Sequence, residues 1–428
     1  MANKELRRVA VIGGVRTPFC RSHTMYGDLT NLEMLTTVLQ GVTNRFGLKG
    51  KHIDEVVAGA VVTHAKDWNL AREAVVGTTL APSTPAITMM QACGTSLQGA
   101  MGIGAKIASG QIECGIAAGS DTVSDAPIVF QRKFAKRLVA ASRGRSFMGK
   151  LSAFKGLKMR ELAPNAPSTG EPRTRLSMGQ HCELMAKEWA ITREAQDRLA
   201  FESHTKAAKA YDDGFHDDLL VACAGVYRDN NIRADTTLEK LAELRTAFDR
   251  SAKGTLTAAN STPLTDGASA TLLASEQWAK DNNLPVLAWL VDAQTSAVDF
   301  VAGDGLLMAP TIAVANLLKR NDITLQDFDL YEIHEAFAAQ VLCTLKAFED
   351  ASYCKSVLKQ SKALGSIDPE KMNQKGSSLA YGHPFAATGG RILSQLAKQL
   401  HEKGEGRGLI SICTAGGMGV AAILESAG

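Results

Sequence analysis

The stretch that decides the fold class is residues 85–119, PAITMMQACGTSLQGAMGIGAKIASGQIECGIAAG. Residues 85–90 have the pattern of a short strand, residues 96–109 have that of a helix rich in small residues, and residues 112–119 return to a strand pattern. Strands that alternate with helices build a largely parallel sheet with helices on its faces. The stretch therefore predicts an α/β protein in which Cys93 lies between a strand and the start of a helix.

The alternation of strands and helices continues on both sides of this stretch. Upstream, a helix at 29–46 lies between strands at 8–15 and 56–62. Downstream, the pattern resumes at residue 285, with strands at 286–291, 328–333, 408–413 and 419–424 and helices at 311–319 and 390–401. With 428 residues, the chain is long enough for two or more domains.

The two α/β regions are weak copies of each other. Residues 53–57 open a strand as residues 328–332 do, and the polar segments 91–95 and 381–385 each lead into a helix. A duplicated unit facing its twin would bring Cys93 and His383 together at one seam.

Composition excludes several classes of protein. The chain is 45% hydrophobic and 21% charged, as expected of a globular protein and not of a disordered or disulfide-stapled one. A net charge of +3 does not predict a nucleic acid partner. The eight cysteines include no CxxC pair, which argues against a zinc site and favours thiols in a reducing compartment. The amino-terminal residues lack the long apolar core of a secretory signal, and we therefore expect a cytoplasmic location.

Residues 131–176 differ from the α/β regions. They contain 12 Lys/Arg against 2 Asp/Glu, and they include the proline-containing stretch 164–167. This composition predicts an inserted loop region rather than a layer of the core.

Three segments have the residues that nucleophilic catalysis needs. Cys93 precedes a helix, whose positive end favours thiolate; the alternative is a buried structural cysteine. His383 lies between Gly382 and Pro384, where an accessible imidazole could activate a thiol, although an incidental histidine at a helix start is also compatible. Cys413 is followed by small residues and could act as a general acid or base, or could be a core cysteine at a tight turn.

Two other motifs fail. His334 begins His-Glu-Ala-Phe-Ala, but the zinc-protease pattern needs a second histidine where Ala338 lies. Gly102-Ile103-Gly104 has no third glycine at the spacing of a dinucleotide site. No metal site is predicted.

Taken together, seven segments resemble the thiolase family in the order in which that family has them. They are residues 16–19, 91–96, 244–249, 260–268, 334–338, 382–384 and 413–419. The resemblance covers essentially the whole chain. It implies two βαβαβαββ halves packed as five layers, α-β-α-β-α, with an inserted loop domain. The implied boundaries are 1–120 plus 251–278 for the first half, 121–250 for the insert and 279–428 for the second half.

The resemblance also implies roles for individual residues. Cys93 would attack the 3-keto carbon of a 3-oxoacyl-CoA, His383 would take its proton, and Cys413 would protonate the departing acetyl-CoA enolate. One oxyanion hole would use His383 with a water held by the residue at position 334, and the other would use the backbone N–H groups of Cys93 and Ala415. Coenzyme A would be a co-substrate, with no permanently bound cofactor.

The sequence departs from the commonest thiolase pattern. His334 stands where many thiolases have asparagine, so its imidazole could donate directly in place of a held water, and Ala415 stands where glycine is usual. The motif sequences around these two residues are most similar to those of the 3-ketoacyl-CoA thiolase branch that forms the β-subunit of fatty-acid oxidation complexes. Binding of the acyl-CoA is expected to involve Met178, Arg233, Thr262 and Phe337.

The expected activity is therefore that of a 3-ketoacyl-CoA thiolase in fatty-acid β-oxidation. A biosynthetic acetyl-CoA C-acetyltransferase shares every catalytic residue and is the nearest alternative, and a non-catalytic acyl-CoA- or lipid-binding relative is a further one. The resemblance implies a homodimer or homotetramer. For residues 131–176 two readings remain: a solvated loop that attracts the CoA phosphates, or a surface that docks on a membrane or a hydratase/dehydrogenase α-subunit.

Overall fold

A computed structural model describes residues 6–165 and 168–428 of the chain. The first five residues, and Ala166 and Pro167 of the proline-containing stretch, lie outside the described residues. The strands are β1 (Val9–Arg16), β2 (Cys20–Arg21), β3 (Glu55–Gly59), β4 (Ala86–Thr88), β5 (Cys114–Asp121), β6 (Val129–Phe130), β7 (Pro164–Asn165), β8 (Thr265–Ser275), β9 (Ala288–Ala297), β10 (Leu330–Ile333), β11 (Arg407–Thr414) and β12 (Met418–Ser426). The α-helices are α1 (Asn31–Arg45), α2 (Leu70–Val76), α3 (Thr95–Ala108), α4 (Arg132–Arg143), α5 (Phe147–Ser152), α6 (Met178–Glu188), α7 (Arg193–Asp212), α8 (Leu238–Ala242), α9 (Glu276–Asp281), α10 (Ala309–Asn321), α11 (Ala338–Glu349), α12 (Ala351–Ser356), α13 (Ser378–Tyr381) and α14 (Thr388–Lys403).

The strand order confirms the duplication predicted from the sequence. The first half has the order β1-β8-β5-β3-β4 and the second has β9-β12-β11-β10. In both halves one pair is parallel, β3 with β5 in the first and β10 with β11 in the second. The two pairs that follow it are antiparallel, β5-β8 and β8-β1 in the first half and β11-β12 and β12-β9 in the second. Where β4 extends the first half, a parallel bridge from Tyr331 to Met372 occupies the equivalent place in the second. The two halves join edge to edge through Ala10 with Trp289 and Val11 with Ala288.

The apolar cores show the five layers. One cluster joins α1 and α2 to the outer face of the first half's sheet, and another joins α10 and α11 to the outer face of the second half's. Between the sheets, a third cluster contains Leu97 and Ile103 of α3 and Ile392 and Leu396 of α14. The helices that follow residues 91–95 and 381–385 therefore lie together in the central layer, which brings those two segments into proximity.

Residues 131–176 contain two helices that the prediction of a loop region did not include, but these helices form no layer of the core, as predicted. The two helices are α4 and α5, between the paired strands β6 and β7. Lys, Arg, Ala and Leu favour a helix, but neither helix has a buried residue, so the apolar periodicity of a core helix gave no signal. The domain boundaries at 121–250 stay a prediction. Among the described residues, no helix has the length and apolarity needed to cross a bilayer.

Candidate active site

Cys93 is held at a strained turn between β4 and α3. The turn is a short 3-10 helix, Ala92–Gly94, and Ala92 has φ of +45°. Gly94 fits because a Cβ at this position would come within 2.8 Å of Val420 and 3.0 Å of Thr414, both in the second half of the chain. The turn therefore presses the Cys93 side chain, 8% exposed, into the seam between the two halves.

His383 reaches Cys93 from the second half. Its Nε2 lies 3.0 Å from the Sγ of Cys93, and its Nδ1 lies 2.6 Å from the Oγ1 of Thr388 at the start of α14. The backbone N–H of His383 donates to the Oγ1 of Thr265 at 2.7 Å. Gly382, with φ of +101°, permits this approach, because a Cβ would lie 2.5 Å from Thr265. His383 is thus held by hydrogen bonds at its backbone N–H and at its ring Nδ1.

Burial keeps both partners uncharged at rest. Desolvation, together with the charge of Arg391, lowers the pKa of His383 to about 3. Desolvation raises the pKa of Cys93 to about 12, while the backbone N–H groups of Ala415 and of Cys93 itself act in the opposite direction. A neutral His383 whose Nδ1–H donates to Thr388 presents the Nε2 lone pair to the thiol. The pair is therefore arranged for transfer of the thiol proton to the imidazole.

A second imidazole lies beside this pair. His334 follows β10, its ring centroid is 4.2 Å from that of His383, and its Nδ1 lies 2.8 Å from the Oγ of Ser378. Its Nε2 is buried and has no hydrogen-bond partner among the described residues. Burial, His383 and Arg391 together hold the pKa of His334 well below its usual value. The site thus contains a neutral imidazole with a free nitrogen.

The second thiol lies at the end of β11. Cys413 is buried, and desolvation together with the nearby Cys93 raises its pKa well above the usual value. The turn that follows has two glycines in the left-handed region, Gly416 and Gly417, and the N–H of Gly416 donates to Glu171 at 2.9 Å. The backbone N–H of Ala415 in this turn acts on the Cys93 sulfur, whereas that of Gly416 is taken by Glu171.

Cys93, His334 and His383 also form a group whose ligand atoms lie within 4.8 Å of one another. A thiolate and two imidazoles suit a soft divalent metal, but the hydrogen bond between Cys93 and His383 already accounts for their proximity. The prediction that the site holds no metal stays a prediction.

Two family models together match most of the chain. The model described as the thiolase N-terminal domain matches residues 9–277, and that of the thiolase C-terminal domain matches residues 284–426. The chain belongs to the thiolase family. A 3-ketoacyl-CoA thiolase of Yersinia pestis (strain Pestoides F) is 42% identical over 424 residues, 98% of this chain and 97% of the relative. The chain is therefore an acyltransferase of the thiolase fold.

Solved thiolase structures have the same fold over their full length. The acetyl-CoA acetyltransferase of Bacillus anthracis has a TM-score of 0.82 and 29% identity, covering 99% of each chain. Human mitochondrial 3-ketoacyl-CoA thiolase in complex with CoA has a TM-score of 0.81 and 26% identity, covering 99% of this chain and 98% of that one.

The four residues predicted to bind the acyl-CoA do not all lie in the same part of this thiolase. Met178 and Phe337 pack into the same apolar cluster as Cys413. Thr262 lies close by, since its Oγ1 donates to the backbone carbonyl of Ala336 at 3.1 Å. Arg233 is exposed in the insert, where its backbone N–H donates to His204. The structure thus associates Met178, Phe337 and Thr262 with the apolar cluster that contains Cys413, and it leaves Arg233 outside that cluster.

Sequence reasoning missed the residues that orient the reactive groups. Thr265 lies in one of the segments that carry the resemblance and Thr388 lies four residues beyond another, but their hydrogen bonds to His383 join positions that no periodicity relates. Asp121 is buried at the end of β5 and accepts the N–H of Ala386 at 2.8 Å and that of Val61 at 2.9 Å. A lone buried carboxylate directly after a strand was the available signal.

Proposed function

We propose that this thiolase cleaves 3-ketoacyl-CoA with CoA, giving acetyl-CoA and an acyl-CoA two carbons shorter, as a step of fatty-acid β-oxidation. The observation that carries the proposal is the 3.0 Å contact between the Sγ of Cys93 and the Nε2 of His383, with Cys413 at the same seam. The printed name of the 42% identical relative supports the substrate class.

In the first half-reaction the thiol of Cys93 gives its proton to His383 Nε2, and its sulfur attacks the 3-keto carbon. The tetrahedral intermediate collapses by breaking the bond between C2 and C3. The electron pair leaves on acetyl-CoA as an enolate, whose C2 takes the proton of Cys413. The shortened acyl group remains on Cys93 as a thioester.

In the second half-reaction the thiol of CoA gives its proton to the Cys413 thiolate, and its sulfur attacks the acyl carbon. The Cys93 sulfur then leaves and recovers its proton from His383. Each proton returns to its starting group, so the cycle needs no further acid or base.

The negative charge that develops on the substrate oxygen in both half-reactions needs hydrogen-bond donors. The backbone N–H groups of Cys93 and Ala415 act on the Cys93 sulfur and are suited to an oxyanion formed beside it. His334 supplies a second donor through its unpartnered Nε2. We assign Met178 and Phe337 to the acyl pocket, because they share an apolar cluster with Cys413. Thr262 and Arg233 are assigned to the CoA side.

The central test is a single turnover without CoA. Incubation with a 3-ketoacyl-CoA should release acetyl-CoA and add one acyl mass to a peptide containing Cys93. The Cys93→Ala variant should do neither. Undiminished thiolysis by that variant would refute Cys93 as the nucleophile, whereas absence of thiolysis from the parent enzyme would leave the non-catalytic relative as the better account.

Chain length separates the two catalytic alternatives. The Bacillus anthracis neighbour is an acetyl-CoA acetyltransferase of the same fold, so the fold does not decide the substrate. A series of 3-ketoacyl-CoA substrates from four to sixteen carbons should give turnover beyond four carbons. Activity confined to acetoacetyl-CoA would favour the biosynthetic acetyltransferase.

The protein is proposed to form a homodimer, or a tetramer of two such dimers, through β4. This strand ends the first half's sheet, and its outer edge is available for pairing with a second copy. Ile87 on it and Met90 beyond it, 63% exposed, add apolar area. Sedimentation equilibrium should give a dimer or tetramer, and a concentration-independent monomer would contradict this assignment. We place the enzyme in the cytoplasm, which is compatible with its eight buried, unbridged cysteines.

The basic hairpin, defined as residues 129–165, is proposed to dock on an anionic lipid surface. It carries ten Lys/Arg and one acidic residue, Glu161, which pairs with Arg137. Phe147, 77% exposed, and Leu151 and Met159 also face solvent. A loop that only attracts CoA phosphates has no need of these apolar side chains, whereas a membrane surface takes both charge and apolar groups.

Vesicle sedimentation tests the docking. Phosphatidylcholine vesicles containing phosphatidylglycerol should bind the enzyme, pure phosphatidylcholine vesicles should not, and Phe147→Ser with Leu151→Ser should abolish binding with thiolysis of short substrates unchanged. Failure to bind anionic vesicles would exclude a lipid surface. If the parent enzyme then co-purified with a co-expressed hydratase/dehydrogenase α-subunit and the same variant did not, the hairpin would be assigned to that partner.

A further inference from the structure

The hydroxyl of Ser378 connects His334 to a buried arginine. Its Oγ accepts from the Nη2 of Arg391 at 2.8 Å and lies 2.8 Å from the Nδ1 of His334. All three side chains are buried, at most 3% exposed. Neither half-reaction described above uses Ser378 or Arg391.

The direction of these hydrogen bonds follows from the donors. Arginine can only donate, so Ser378 must accept from Arg391 and keeps its own proton for another acceptor. Within the described residues, the acceptor in reach of that proton is the Nδ1 of His334. The Nδ1 of His334 is therefore the unprotonated nitrogen, and the ring's single proton lies on Nε2.

The ring has one proton because it is held neutral. Burial, His383 and Arg391 all lower the pKa of His334, and Arg391 is thus both the repelling charge and the donor that orients Ser378. Two neutral tautomers of an imidazole are close in energy, so a single hydrogen bond decides between them. Nε2, the nitrogen without a protein partner, then faces the site as a donor.

We propose that Ser378 is a positioning residue that fixes the Nε2–H tautomer of His334, so that this N–H donates to the substrate oxyanion. The assignment rests on the proposed function of the site and deepens it. Without the hydroxyl, the proton can move to Nδ1. The ring would then present a lone pair to the developing negative charge.

Ser377 supplies a matched control. It is also fully buried, and its Oγ accepts from the same Nη2 of Arg391 at 3.2 Å, but its proton is donated to the backbone carbonyl of Ile333. Removing the Ser377 hydroxyl therefore disturbs Arg391 and the start of the same short helix but removes no hydrogen bond of the His334 imidazole.

The experiment compares kcat and KM for thiolysis by S378A, S377A, H334N and the double variant H334N/S378A. Removing an oxyanion donor outright costs about 100- to 1000-fold in kcat. We expect S378A to lose about 10- to 100-fold in kcat with KM within about twofold, and S377A to lose less than about threefold. In the H334N background, S378A should cost nothing further, because Ser378 acts through the imidazole. Nitrogen-15 NMR of labelled histidine should show the His334 tautomer mixed or reversed in S378A.

Three results would overturn the proposal: kcat of S378A within twofold of the parent, equal losses for S378A and S377A, or the same S378A loss in the H334N background. The tautomer measurement reads the effect in folded protein even if activity falls for another reason. Because Cys93→Ala tests the reaction itself, full loss in that variant with an unaffected S378A would reject this inference and leave the proposed function standing.

Discussion

Substitution of Thr388 by valine tests whether the far nitrogen of His383 matters for catalysis. Thr388 is fully buried, and its Oγ1 lies 2.6 Å from Nδ1. Valine has nearly the same shape, so the change removes a hydrogen-bond acceptor and little else. The backbone N–H of His383 keeps its own bond to Thr265.

The magnitude follows from the change of charge on the ring. A hydrogen bond contributes about 0.5–1.5 kcal/mol when its partners are neutral and about 1.5–3 kcal/mol when one is charged. His383 is neutral at rest and becomes imidazolium as Cys93 attacks. The bond to Thr388 is therefore about 1–1.5 kcal/mol stronger in the transition state, which corresponds to about 5- to 12-fold in kcat.

The assay is thiolysis of a 3-ketoacyl-CoA at saturating CoA, with the melting temperature measured alongside. T388V should lose about 5- to 12-fold in kcat, and T388S, which keeps the hydroxyl, should stay within about twofold. Equal losses in both variants would show that packing at residue 388 matters rather than the hydrogen bond. A T388V enzyme with full activity would refute the charge argument.

Three further predictions concern the second thiol, acid stability and the acyl pocket. Cys413→Ala should lose ketoacyl cleavage by at least about 100-fold and lose exchange of labelled CoA into acyl-CoA by much less, because exchange forms no enolate and His383, protonated by Cys93, can return its proton to the departing CoA sulfur; equal loss of both activities would contradict this. The folded-state pKa of His216 is lowered to about 3, mainly by burial, so its contribution to stability is fully present above the unfolded value near 6.5 and is lost below it by about 1.4 kcal/mol per pH unit. The pKa of the buried Asp121 is raised to about 7, so this carboxyl acts in the opposite direction over the same range. Urea unfolding of the parent and of His216→Gln at pH 7, 6 and 5 therefore measures the difference between their slopes, and equal slopes would count against the argument. Gly179→Ala would place a Cβ 2.2 Å from the ring of Phe248, whose centroid lies 5.9 Å from that of Phe337 in the proposed acyl pocket. We expect a loss of about 1–3 kcal/mol in unfolding free energy and a shift toward shorter acyl chains, measured by urea titration and a substrate series. No change in either would show that the ring moves freely.

The pairing of Cys93 with His383 could be predicted because it follows from the duplication. Each residue lies in the segment that leads into a central helix of its half, Cys93 two residues before α3 and His383 five residues before α14, and the packing of α3 against α14 brings the two segments together. The signal is the alternation of strand and helix patterns, which is local and recurs in both halves, so it can be detected in the sequence.

The residues that orient the imidazoles could not be predicted in the same way. The contact from Thr265 to His383 spans 118 positions, and Ser378 reaches His334 across 44. Their contacts depend on the tertiary packing of elements that are distant in the chain, which leaves no repeat in the sequence. The helices of the basic hairpin were missed for the opposite reason, because they form locally yet bury nothing.

The matching strand orders of the two halves have a consequence for how such a site could arise. If two identical halves faced each other across a symmetric seam, each would present the same residue before its central helix, giving two cysteines or two histidines. A nucleophile from one of these segments and a base from the equivalent segment require two copies that can mutate separately. Joining both copies in one polypeptide permits that divergence, and the edge-to-edge contact from Ala10 to Trp289 keeps the diverged copies aligned.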